Sequence, residues 1–157
     1  QRRAGTENVP AIVAFGAAAR GATASRDDRV RALRRIEERL VEGVRGRVSG
    51  ARRVGEAGAH APHIASFIFS EVAGETLLFA LDMAGIAASS GAACSSRSLE
   101  PSPALLAMRI PRDEAASAIR FSWGPSTSEA EVERLLDVLP GLVEQNRAAR
   151  RTAGRSA

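Results

Sequence analysis

A chain of 157 residues can bury one hydrophobic core, and its 45% apolar and 25% charged residues are too apolar for a disordered chain. The net charge of +4 and the isoelectric point near 11.0 come from 22 arginines, with no lysine, scattered among 18 acids. That reflects arginine usage rather than a basic patch, so nucleic acid is not an expected partner. One cysteine excludes an internal disulfide, and two histidines without a second thiol make no zinc site, so no metal is expected. The apolar runs fall short of a membrane span and no signal peptide opens the chain, which leads to the expectation of a cytoplasmic protein with no membrane partner.

The opening "QRRAGT" lacks a methionine and reads as mid-sequence, so a fragment or a processed product is expected. After a glycine turn at Gly5, "NVPAIVAFGAAARG" has an early proline, good helix formers and Gly21 as a stop, which predicts a helix. Ser25 is placed to cap the next helix, "RDDRVRALRRIEERLVEGVRG". There Val30, Leu33, Ile36, Leu40, Val41 and Val44 recur at helical spacing, and Asp27 and Asp28 suit the first turn. The arginines of this helix read as a solvated face with acidic neighbours such as Glu37 and Glu38.

From Val48 to His63 periodicity is lost, which predicts a short strand and a surface loop, with His60 and His63 read as surface histidines. A strand is predicted in "HIASFIFSEV", a buried helix in "GETLLFALDMAG" ending at Gly85, and a brief strand in "IAAS". Past a loop of small residues, "SPALLAMRI" predicts one or two helical turns capped by Ser102, and "SAIRFSW" a strand. The last helix begins with capping-box spacings from Ser126 to Glu129 and from Ser128 to Glu131, and Pro140 is expected to kink or split it. Residues 147–157 read as a disordered tail. Few strands interleaved with helices predict an α+β fold, helices packed on a small, mostly antiparallel sheet.

Three positions stand out chemically. Cys94 lies in "SSGAACSSRS", where Gly91 and the serines favour local turns over packing; a reactive thiol and an inert small side chain both fit, and Arg97 nearby would favour thiolate. Arg120 falls inside a predicted strand with apolar neighbours, either bound to a carboxylate or at a strand edge with its head in water. The turn "RRAGT" offers backbone donors and the Thr6 hydroxyl to an anion.

The stretches "RRAGTENVPAIVAFGAA", "GETLLFALDMAGIAASSGAACSSRSLEPSPAL" and "AIRFSWGPSTSEAEVERLL" together resemble the C-terminal portion of cysteine desulfurases, pyridoxal-phosphate enzymes of the class V aminotransferase group. The resemblance runs from about Arg2 to about Leu142. It implies the small domain of a fold-type I transferase over residues 21–146, with residues 1–20 ending the large cofactor domain. It also implies conversion of L-cysteine to L-alanine with sulfur passed to Cys94 as a persulfide, for iron-sulfur cluster or thio-cofactor synthesis. By the same resemblance Arg120 grips the substrate carboxylate. Thr6 reaches the phosphate of pyridoxal 5'-phosphate in the other subunit of a homodimer, and a sulfur acceptor or iron-sulfur scaffold protein is the expected partner.

The sequence departs from that pattern in having no lysine for the Schiff base, so the chain alone is expected to be inactive. Arg97 and Pro103 stand where the family has, respectively, a small residue and frequently a histidine or aromatic residue. Two other readings are a non-catalytic sulfur carrier or interaction module using Cys94, and a selenocysteine lyase-like relative.

Overall fold

A computed structural model describes residues 5–56, 58–90 and 101–154. Its first helix, α1, spans Val9–Ala24; the Asn8 side chain accepts from the Ala11 amide at 3.1 Å and a proline sits in the first turn. Gly21 does not stop it, because a helical glycine costs only about 1 kcal/mol. The Ser25 hydroxyl donates back to the Gly21 carbonyl at 2.9 Å instead of capping the next helix. After that single residue comes α2, Arg26–Arg47, which buries Ile36, Leu40, Val41 and Val44 as the spacing predicts. It buries Glu37 as well, at 4% exposure, which corrects its assignment to the solvated face.

The strand β1, Ala51–Arg53, pairs antiparallel with β2, Ile64–Phe69. Next is α3, Gly74–Met83, closed by Gly85 at φ +75 in a Schellman turn in which the Ile86 amide donates to Leu81 and the Gly85 amide to Asp82. The predicted "IAAS" strand, which would begin at Ile86, starts three residues later, as β3, Ser89–Ser90. Pro103–Ala107 is α4 and Arg112–Ala116 is α5, a turn of helix the apolar pattern did not announce. The strand β4 is Ala118–Ser122.

The last helix, α6, is Glu129–Gly154, and it runs unbroken through Pro140. The capping box forms once, at Ser128 and Glu131: the Ser128 hydroxyl accepts from the Glu131 amide at 3.3 Å, and the Glu131 carboxylate accepts from the Ser128 amide at 2.7 Å. The expected tail is helical as far as Gly154, and Arg147 within it is buried at 7% exposure.

The sheet order is β1-β2-β4-β3, antiparallel at every pairing. Alternation along the strands sends Ala65, Phe67 and Phe69 of β2 and Ile119 and Phe121 of β4 into one core with α2, α3 and α6. On the opposite face Ile68 and Ala118 meet Leu105 of α4 and Ala115 of α5 in a smaller cluster. Gly74 makes the close seam between the start of α3 and the end of α5, since a Cβ there would sit 2.3 Å from the Ala116 carbonyl oxygen. No helix among the described residues is long and apolar enough to cross a membrane.

Candidate functional site

The smaller cluster covers only part of its face of the sheet. Arg120 lies on that same face, two residues along β4 from Ala118, in register with Ser66 of β2 on one side and Ser89 of β3 on the other. Arg120 is therefore on an internal strand, which settles the sequence alternatives against a sheet edge. Its Nε is buried without a hydrogen-bond partner. Leaving a guanidinium donor desolvated and unmatched is costly, and the two cross-strand serines supply no charge to offset it. A guanidinium N–H left free in this setting can take a planar acceptor such as a carboxylate.

Cys94 and Arg97 lie outside the described residues, as does Arg3. The described chain nevertheless fixes both ends of their segment. Ser90 is paired with Ile119, next to Arg120, and Pro101 and Ser102 are buried where the chain enters α4 on the Arg120 face. Pro103 begins α4, where its fixed φ suits the first helical turn.

Thr6 is exposed, one residue after Gly5 at φ +112, and stands at the head of α1. That helix buries none of its residues: Val9, Ile12, Val13 and Phe15 are all exposed, Phe15 at 77%. Thr6 and Arg120 thus belong to different parts of the molecule, the first just ahead of an outlying helix and the second on the sheet.

Two polar sites escaped the sequence reading. Glu37 accepts from Arg53, and the Nε2 of His60 lies 2.6 Å from its carboxylate, so His60 is engaged rather than free on the surface. Arg147 is gripped from several sides: Nε donates to the Ser70 carbonyl at 3.0 Å, Nη2 to the Ser49 carbonyl at 2.8 Å, and Nη1 to Glu144 at 2.6 Å. Charge spacing along α6 offers only the Glu144–Arg147 pair, and the burial of Glu37 and Arg147 depends on contacts to distant strands and loops. On the outer surface, hydrogen bonds from Arg39 and Arg47 hold the Glu133 carboxyl below its ordinary range, and the Ser128 amide and hydroxyl do the same for Glu131.

As for a resident cofactor, the resemblance to pyridoxal-phosphate enzymes directs attention to the exposed Thr6 hydroxyl as a phosphate donor and to the unmatched Nε of Arg120 as a donor to an amino-acid carboxylate. The covalent anchor does not fit, since no side chain in this sequence carries a lysine amine.

Comparison with known proteins gives the family. The aminotransferase class-V family matches residues 1–135. The chain is 43% identical over 146 residues to a cysteine desulfurase of Gluconacetobacter diazotrophicus, covering 93% of this chain and 36% of that protein. It is 38% identical to cysteine desulfurase IscS 1 of Archaeoglobus fulgidus, covering 93% and 38%. The chain therefore spans little more than a third of the length of these relatives. Among solved structures it resembles a NifS-like protein with a TM-score of 0.73 at 27% identity, over 90% of this chain and 35% of that one. A NifS-like protein from Rickettsia africae shares the fold, with a TM-score of 0.76 at 22% identity, over 90% of this chain and 36% of that one.

Proposed function

The chain belongs to the aminotransferase class-V family, and from that premise we propose that it is the C-terminal part of a cysteine desulfurase, with Cys94 as sulfur acceptor and Arg120 as the carboxylate grip. The observation that carries the reading is the buried, unpartnered Nε of Arg120 on β4, beside the paired Ser90 that precedes Cys94 in sequence. In sequence Cys94 follows Ser90, the residue paired beside Arg120, by four positions, within a reach of about 14 Å at most.

In the proposed reaction the Cys94 thiolate attacks the sulfur of L-cysteine. The carbon-sulfur bond breaks as a sulfur-sulfur bond forms, the carbon takes a proton, and the products are L-alanine and a Cys94 persulfide. Atoms balance without an added oxidant or reductant. Arg120 holds the substrate carboxylate, which fixes the orientation of the substrate. Family resemblance points to pyridoxal phosphate as the electron sink. Without a lysine these residues carry no covalent anchor for it, so no step is assigned to it here and this chain alone is inactive in this reading. The anchor, the homodimer that would bring Thr6 to a cofactor phosphate, the acceptor protein and a cytoplasmic location belong to the same proposal. So does the division into residues 1–20 and 21–146.

The test is mass spectrometry of the Cys94 peptide from the native polypeptide after exposure to L-cysteine. The expected result is a gain of one sulfur atom at Cys94, lost in Cys94→Ala and sharply reduced in Arg120→Met. Alanine production that persists in Cys94→Ala would overturn the acceptor assignment and favour a selenocysteine lyase-like relative. Sulfur gained only from an external persulfide donor would favour a carrier.

A further inference from the structure

His60 is held between two acceptors. Its Nε2 lies 2.6 Å from Oε1 of Glu37, and its Nδ1 lies 3.0 Å from the Gly58 carbonyl oxygen. A carbonyl oxygen can only accept, and a carboxylate already taking a hydrogen bond from Arg53 is likewise an acceptor. A neutral imidazole has one N–H and can serve only one of them. The doubly protonated ring serves both.

We propose that His60 is a protonation-dependent latch that fastens residues 58–63 to α2. The charged groups facing it are Glu37 from α2 and Arg53 from β1; on its own segment Glu56 is engaged by Arg45 of α2, and His63 is exposed. From beyond β4 the facing group is uncharged Trp123. Its indole nitrogen donates to the Pro62 carbonyl at 3.0 Å and to the Leu33 carbonyl of α2 at 3.1 Å, and its amide donates to the His63 carbonyl at 3.1 Å.

The latch and the tryptophan thus share one short segment, and Trp123 is three residues from Arg120. With His60 charged, the segment is pinned at both ends. When the ring gives up a proton, one nitrogen meets an acceptor lone pair to lone pair, and the His60 end lets go. The direction follows: closed while both ring nitrogens carry protons, loosened once one is lost. This inference does not depend on the desulfurase reading.

Trp123 is the chain's single tryptophan, so it reports on the latch without interference. The experiment follows exchange of its indole N–H between about pH 6 and pH 8, corrected for base catalysis, alongside nitrogen NMR of the His60 ring. Expected are two protonated ring nitrogens at the lower pH and an exchange rate that rises about fivefold or more at the higher. His60→Gln should remove that dependence and His63→Gln should keep it. A neutral His60 ring at the lower pH, or the same pH dependence in His60→Gln, would overturn the proposal. His60→Gln is the decisive variant because it leaves the buried Glu37–Arg53 pair in place, whereas Glu37→Gln strands Arg53.

Discussion

Arg147 and Arg120 are both drawn into the protein, and they are treated in opposite ways. Around Arg147 the chain supplies the Ser49 and Ser70 carbonyls and the Glu144 carboxylate, so the guanidinium ties α6 to the ends of β1 and β2. Around Arg120 the chain supplies two serines in register and leaves Nε unmatched. The first arrangement spends its hydrogen bonds on the fold, and the second holds one back. The same division runs through the sheet: one face is closed by α2, α3 and α6 over an all-apolar core, while the other is only partly covered by α4 and α5.

This contrast can be broken by stability measurements on single variants. Phe67→Ala, at a fully buried position on the closed face, should cost about 3–5 kcal/mol in denaturant unfolding, the range for large core truncations. Arg147→Met should cost about 2–4 kcal/mol, because it strands the Ser49 and Ser70 carbonyls and the buried groups beside them.

Ser128→Ala should cost about 1 kcal/mol through loss of the α6 cap. It should also change the acid limb of the stability curve. The Glu131 carboxyl is held below its ordinary value of 4.5 by Ser128, so its contribution is present above that pH and is lost as the pH falls through the folded value. The variant should therefore lose less on acidification than the parent. Arg120→Met should be the smallest, within about 0.5 kcal/mol of the parent, since it removes an unmatched donor rather than a bond. A cost for Arg120→Met comparable to that for Arg147→Met would erase the distinction.

The strand at "AIRFSW", the amphipathic face of α2 and the Ser128 capping box were legible because each is written locally, in alternation, in helical spacing and in a three-residue offset. Pro140 misled because its helix-breaking tendency is local while its surroundings are not. Leu136, Leu139 and Val143 are fully or nearly fully buried on either side of it, and their packing outweighs roughly 3 kcal/mol of proline cost. Glu37 misled for the converse reason: Arg34, Arg35, Glu38 and Arg39 around it are charged and exposed, but its partners, Arg53 and His60, arrive from β1 and the segment after it. Arg120 was legible as an oddity from its apolar neighbours alone. That its Nε lacks a partner required the register with Ser66 and Ser89.

The junction at Ser25 makes α1 a lever. Sixteen residues at 1.5 Å each give an arm of about 24 Å, pivoting on one residue and carrying Thr6 at its far end. A swing of about 10° at the pivot displaces that end by about 4 Å, more than the length of a hydrogen bond. No buried side chain of α1 resists such a swing; the stitches are the local bonds of Ser25 and the bond from Arg29 to the Ala22 carbonyl. The aim of Thr6 is thus set by torsion at a single joint and by whatever surface the apolar helix rests on.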